Sequence, residues 1–419
     1  MLFAMGLLNV GNYGFTALVA RFLSPEQFAT YAILYGAVIL LAVPANVLRL
    51  AIVRLSTEKA ECSGDNAISA ELMALRRNLL VFVLAGGTVL LFVATLPIFA
   101  VTGAANLPSF LLAGFAAIIT FTLYLDRGFL QGGLRFSWVA VTVVAEMVAR
   151  IGFLLLLASA LNAGLAGTMA ALLLGALLAN AVSAQMVERC AAAASEGRPA
   201  TSGQGSPTKT LLAYTSIMMA VYSAHTALRW VDLLAVRHLF PGDVAGQYAA
   251  LSFAGKALLF ASLGVTETLF TFANKARWRQ EPGEPLLARA LLLTTAVGLP
   301  ILLIYAAAPG PILEYVFGSS YTGLASSLWI MGLFMFLLSL AGVLIAYMLA
   351  SGMAREALAS ATAAAALELT LLLAFHDSIQ TIVLALCAMA VFYLAVLSAL
   401  IAWNSIRVRM TARQKAVPE

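Results

Sequence analysis

The sequence predicts an all-α, polytopic membrane protein of about twelve transmembrane helices, in two six-helix lobes related by a parallel repeat. Three observations predict it: an apolar composition, a series of apolar runs of spanning length, and a turn phrase that occurs twice. Of 419 residues, 62% are hydrophobic and 10% charged, and the mean hydropathy is +0.97. Such a chain is too apolar for a soluble globular protein. A spanning helix uses about 20 apolar residues, so a dozen consume most of the chain and exclude a large soluble domain.

The runs fall at approximately 2–20, 28–48, 78–101, 109–125, 138–160, 164–187, 211–236, 247–272, 290–308, 324–350, 357–375 and 379–403, each bounded by polar or Gly/Pro-bearing stretches. Met1 opens directly into the first run without a basic lead, so no cleaved signal peptide is expected. Pro44 and Pro97 lie in or near the ends of runs, and Pro300 interrupts the ninth, where its ring and missing N–H predict a kink.

Orientation follows from the cations. Lys plus Arg number 24 against 19 Asp plus Glu. One alternate set of connections, with the C-terminal tail, holds 19 of these cations, among them Arg49, Arg76, Arg127, Arg135 and Arg277. The other set holds Arg21 and Arg237. Cytoplasmic loops collect Lys and Arg, so both termini are expected in the cytoplasm. The basic balance is thereby assigned to topology, and no nucleic-acid partner is expected. Cys62 and Cys190 fall in the inner loops and Cys387 in a span, which implies no disulfide.

The longest connections, 49–77 and 188–210, are both on the inner side, and the second reads as a flexible linker. This gives an N-terminal lobe at 1–187, a linker at 188–210, a C-terminal lobe at 211–403 and a tail at 404–419. Leu18-Val-Ala-Arg21-Phe-Leu23-Ser-Pro25, followed by Tyr31-Ala32, recurs as Leu234-Ala-Val-Arg237-His-Leu239-Phe-Pro241, followed by Tyr248-Ala249. Each copy joins the first helix of its half to the second. Six crossings between them leave both on the same side, which makes the repeat parallel.

Arg21-Phe-Leu-Ser-Pro25-Glu26-Gln-Phe-Ala-Thr-Tyr31 resembles the first connection of the polysaccharide transporter family, within the multidrug/oligosaccharidyl-lipid/polysaccharide flippase superfamily. Trp230-Val-Asp232 ahead of Arg237 and Pro241 resembles its Asp-bearing seventh helix, and Gly246-Gln-Tyr248 its entry to the eighth. Phe317-Gly318-Ser-Ser-Tyr321 and Leu349-Ala-Ser-Gly352 are similar to the phrases flanking its tenth. Ala29 departs from the usual glycine, and the polar lead before the first helix is absent. The resemblance implies a bacterial inner-membrane flippase, which moves undecaprenyl-diphosphate-linked oligosaccharide by alternating access for O-antigen, capsule or exopolysaccharide assembly. It implies lipid-linked oligosaccharide, the bilayer and polysaccharide polymerase or other assembly proteins as partners.

A carrier of a lipid diphosphate needs buried cations. Lys256 lies roughly 13 Å into its run and Arg150 roughly 18 Å, at 1.5 Å per residue. Both are candidates for binding the diphosphate. Glu146, four residues before Arg150, offers the alternative of an intrahelical pair. Lys256 has no acid at i±3 or i±4, so its partner is expected from another helix or from substrate. Arg229 and Asp232 are spaced as an i,i+3 pair near the outer surface, an outer gate or an interfacial pair. Arg49, at the inner end of the second run, either receives substrate or anchors to lipid phosphates. Glu368, roughly 16 Å deep by the same rise, is the candidate proton-coupling residue; Glu267 reads as solvated. His225, His238 and His376 show no metal-ligand spacing, and neither metal nor cofactor is expected.

Two rival classes fit the sequence less well. A polytopic polysaccharide-assembly enzyme calls for an acid or base at an aqueous face, and the short outer connections supply no such site. Gly255-Lys256-Ala257 lacks the remaining residues of a P-loop. The protein is therefore read as a non-enzyme. A multidrug extruder of the same superfamily is the nearer rival, although the first two runs lack the acid typical of that class.

Overall fold

A computed structural model describes residues 2–63, 70–102, 107–133, 135–160, 162–195, 208–279 and 282–415. These are helical almost throughout, with no strand among the described residues. In a bilayer, backbone N–H and C=O groups must be satisfied within the segment, and long apolar runs adopt helix for that reason. Ten helical stretches among the described residues are long and apolar enough to cross a membrane. The chain is a multi-pass membrane protein. It divides into two compact units, Met1–Met219 and Ala220–Glu419.

The first unit contains α1 (Leu2–Phe22), α2 (Pro25–Ser63), α3 (Ala70–Thr102), α4 (Leu107–Gly132), α5 (Phe136–Leu155) and α6 (Gly164–Ser195). α4 packs on α2, α3 and α6, and α5 packs on α6 and α1. Ile52, Leu125, Phe129, Leu130, Val139 and Val187 form a buried apolar cluster among them. Val81, Phe82, Val89 and Leu90 of α3 are exposed, as a lipid-facing surface requires. α5 ends in a π-helical turn, Leu156–Ala160, and Asn162 beyond it takes a left-handed φ of 48°.

Three boundaries differ from the sequence reading. The connection expected at 49–77 is mostly helix, because α2 runs on to Ser63 and α3 begins at Ala70. α6 continues to Ser195 over residues expected in the linker; 196–207 lie outside the described residues, as do the side chains of Arg54, Lys59, Cys62, Lys209 and Glu267. α4 extends seven residues past the predicted end at 125, to Gly132, and takes Asp126 and Arg127 into its buried face. A hydropathy count stops at the first charges. Here those charges are neutralised by partners on neighbouring helices, so the helix does not stop.

The second unit runs from the end of α7 (Thr208–Ala227) through α8 (Val231–Leu239), α9 (Gly242–Trp278), α10 (Glu284–Ala307), α11 (Pro309–Phe317), a 3₁₀ segment (Ser319–Ser327), α12 (Leu328–Ala350), α13 (Ala354–Ala374) and α14 (Ile379–Lys415). α12 is its centre, packed on α9, α10 and α14 and buried nearly all round, as expected of a helix that is apolar on every face. Gly318 and Gly352, from the phrases flanking the tenth helix, take φ of 109° and 82°, which a side chain rarely tolerates.

The seventh predicted run is not one helix. It breaks at Leu228–Trp230 into α7 and α8, and the Arg229 and Trp230 N–H groups bond to the carbonyls of Thr226 at 3.1 Å and Ala227 at 2.9 Å. This is tighter i→i−3 bonding, with neither Gly nor Pro at the break to announce it. Helix meanwhile continues through Pro44 in α2 and Pro300 in α10.

Candidate functional site

α9 carries Tyr248, Ser252 and Lys256 at four-residue spacing, which places all three on one face. α8 presents Asp232 to that face. Tyr248 Oη donates to Asp232 Oδ2 at 2.7 Å, Ser252 Oγ donates to the same oxygen at 3.4 Å, and Lys256 Nζ donates to Ser252 Oγ at 2.7 Å. Lys256 Nζ also lies 4.1 Å from the Trp230 ring centroid and 5.2 Å from that of Phe253. Cation–π contacts of this kind contribute about 2 kcal/mol when desolvated. The break at Leu228–Trp230 is what swings the indole under the amine.

Lys256 is 2% exposed, Asp232 0% and Glu368 1%. Glu368, on α13, lies within electrostatic reach of Asp232 and Tyr248. Asp232 Oδ1 and Glu368 Oε1 are buried without a hydrogen-bond partner. Arg229 and Asp232 both lie within electrostatic reach of Lys256, so two carboxylates and two cations share this region. The partner sought for Lys256 is thus on another helix, reached through a serine.

The expected Arg229–Asp232 pair does not form. That spacing assumed a continuous helix, and the turn sends Asp232 toward α9 instead. Asp232 is wholly buried. Arg229 is partly exposed, with its Nε buried and unpartnered.

In the first unit, Arg150 and Glu146 form the intrahelical ion pair that their spacing offers. The sequence reading missed the third member. Arg127 of α4, placed in an inner loop by that reading, is 4% exposed and donates to Glu146 Oε2 at 2.7 Å and Thr142 Oγ1 at 3.0 Å. Arg150 Nη1 reaches Asn12 Oδ1 of α1 at 3.1 Å. One carboxylate is therefore clamped between two guanidinium groups, and Tyr124 lies in the field of both, of Glu146 and of Arg49. Arg49 is itself 6% exposed and bonded to Asn46 Oδ1 at 3.0 Å and to Gln131 of α4, a buried position rather than one at a lipid surface. Arg76, also read as a loop cation, makes a two-pronged pair with Asp126, at 2.7 and 3.0 Å, which Ser183 of α6 supplements at 3.2 Å. Arg76 and Asp126 lie fifty residues apart in sequence, and no local pattern links them.

A family model described as "polysaccharide biosynthesis protein" matches residues 2–252, more than half of the chain. The chain belongs to that family. Among curated proteins no significant match is found. Solved structures similar over almost the full length include an inward-facing multidrug resistance MATE family transporter of the MOP superfamily. It has a TM-score of 0.73 and 14% identity, with 98% of this chain and 96% of the other covered. The lipid II flippase MurJ in its inward closed conformation is similar with a TM-score of 0.71 and 14% identity, covering 100% and 93%. An outward-facing MATE transporter follows at 0.69 and 15%, covering 99% and 95%. This member of the polysaccharide biosynthesis family thus has the MOP-superfamily transporter fold.

Proposed function

We propose that this protein is a flippase of the bacterial cytoplasmic membrane. It carries undecaprenyl-diphosphate-linked oligosaccharide across the bilayer by alternating access, for O-antigen, capsule or exopolysaccharide assembly, and hands it to a polymerase or other assembly protein. The observation that carries this reading is Lys256: a buried amine deep in an apolar unit, held by a hydroxyl and two aromatic faces, with no direct ion pair among the described residues. An intramembrane cation so placed is a functional-site hypothesis by default, and the diphosphate is the anion that the family's role in polysaccharide synthesis supplies. Arg150, Arg49 and Arg229 extend the cationic set. Glu368 and Asp232 supply the coupling group, since each keeps a buried carboxylate oxygen without a hydrogen-bond partner. Glu146 holds Arg150 and Arg127 in place.

The likeness to MATE transporters favours a second reading, multidrug extrusion. Against it, the buried carboxylates Asp126 and Glu146 of the first unit are both taken up by arginines, which leaves those groups poorly suited to a cationic drug. Reconstitution into liposomes with a fluorescent undecaprenyl-diphosphate oligosaccharide and a cationic dye separates the two. Movement of the lipid-linked sugar is expected; movement of the dye alone overturns the reading.

A further inference from the structure

Arg127 and Arg150 hold one oxygen each of Glu146: Arg127 Nη2 donates to Oε2 at 2.7 Å, and Arg150 pairs with Oε1. All three side chains are buried. Among the described residues no second carboxylate pairs with either guanidinium, so two cations share one anion. The two arginines differ in what else they do. Arg127 also donates through Nε to Thr142 Oγ1 at 3.0 Å, and Thr142 commits its own proton to the Val139 carbonyl at 2.8 Å. That hydroxyl oxygen is left to accept, so Arg127 is fixed to two residues one turn apart on α5. Besides Glu146, Arg150 donates only to a neutral amide, Asn12 Oδ1 at 3.1 Å, and its Nε is buried without a partner. A buried N–H left open is unfavourable until an acceptor reaches it. One cation of the pair is fully engaged, and the other keeps a donor and a charge to offer.

We infer that Glu146 is an exchangeable counter-ion, with Arg127 as its permanent partner and Arg150 as its temporary one. When the anionic group of the cargo engages Arg150, Glu146 gives up that bond and keeps the one to Arg127. No buried charge is stranded, and stranding one is what makes breaking a buried ion pair so unfavourable. When the cargo leaves, Glu146, one turn back on the same helix, takes Arg150 again. Arg127 touches no cargo. It is a positioning residue, and its charge is what lets Arg150 change partners. The anionic cargo and its contact with Arg150 rest on the flippase reading; the exchange, and the parts of Glu146 and Arg127 in it, go beyond that reading.

The test measures KM and kcat of the full chain in liposomes for translocation of a fluorescent undecaprenyl-diphosphate oligosaccharide. Arg127→Gln leaves Glu146 to Arg150 alone, and KM is expected to rise at least tenfold. In Arg127→Gln/Glu146→Gln the competing carboxylate is gone as well. Its KM is expected to return to the wild-type value or below, while kcat stays at least tenfold lowered because nothing reclaims Arg150. A merely structural role predicts the reverse, a double variant at least as impaired in KM as the single one. The double variant keeps the net charge of the wild-type triad, so its comparison with wild type decides the matter even where the single variant does not yield monodisperse protein. An unchanged KM in Arg127→Gln, or a KM above wild type in the double variant, overturns the inference and leaves the flippase reading standing. Wild-type liposomes that move no lipid-linked sugar overturn that reading, and this inference with it.

Discussion

Replacing Lys256 by alanine removes the amine from among Trp230, Phe253 and Ser252, while Asp232 keeps its bonds from Tyr248 and Ser252. The carboxylate is not stranded, so folding is expected to survive. Glycan export in cells is expected to fall more than tenfold at unchanged protein level; normal export at normal level would remove Lys256 from the substrate site. Glu368→Gln keeps the shape of a side chain that is 1% exposed but cannot exchange a proton. Its transport rate is expected to lose dependence on an imposed proton gradient, and an unaltered dependence would place coupling elsewhere. At this scale the sequence was legible where the partner is local. Glu146 and Arg150 are spaced for a pair, and the pair is there. It was not legible where the partner arrives from another helix: Asp232 and Lys256 are twenty-four residues apart in sequence and joined by a serine, and Arg127 and Arg76 looked like loop cations because their acids are on other helices or across a hairpin.

At the scale of the helix, the first unit depends on how closely α5 and α6 approach at the guanidinium clamp. A Cβ on Gly175 of α6 would come within 3.0 Å of the Arg150 backbone N and 3.1 Å of its Cα. Backbone cannot step aside as a side-chain tip can, so Gly175→Ala must push α5 outward and pull Arg150 from Asn12. Overpacking of this kind costs about 1–3 kcal/mol, and small residues at such crossings are what let membrane helices pack. Gly152→Ala on α5 is the matched control, because its Cβ meets nothing within 4 Å. Thermal unfolding in detergent is expected to show a lowered Tm for Gly175→Ala and an unchanged or raised one for Gly152→Ala; equal midpoints would refute the close-approach account. Helix number and order were readable from the apolar runs because each run must satisfy its own backbone in lipid. The break at Leu228–Trp230 was not. It lies in Thr-Ala-Leu-Arg-Trp-Val-Asp, without a breaker residue, and the aromatic and ionic contacts that favour it come from α9.

For the whole molecule, the distribution of charge along over-long helices makes the orientation testable. α2, α9 and α14 have 39, 37 and 37 residues, roughly 55 Å each at 1.5 Å per residue, against a hydrocarbon core of about 30 Å. Their extra turns lie at the C-terminal ends, where the cations are: Arg54 and Lys59 on α2, Lys275 and Arg277 on α9, and Arg407, Arg409, Arg413 and Lys415 on α14. Reclassifying Arg49, Arg76 and Arg127 as buried takes three cations from the 19 first assigned to the inner side, and the 16 that remain against Arg21 and Arg237 still decide the sign. A lipid-phosphate anchor for these ends adds about 1 kcal/mol per Lys or Arg near an anionic leaflet. Fusing green fluorescent protein after Glu419 is accordingly expected to give fluorescent cells, and fusing alkaline phosphatase at the same point to give inactive enzyme. At a point in the α8–α9 hairpin next to Pro241 the two reporters are expected to reverse, since one crossing pattern fixes both ends. Phosphatase activity at the C-terminus would invert the topology and overturn the inner assignment of these cation-bearing helix ends.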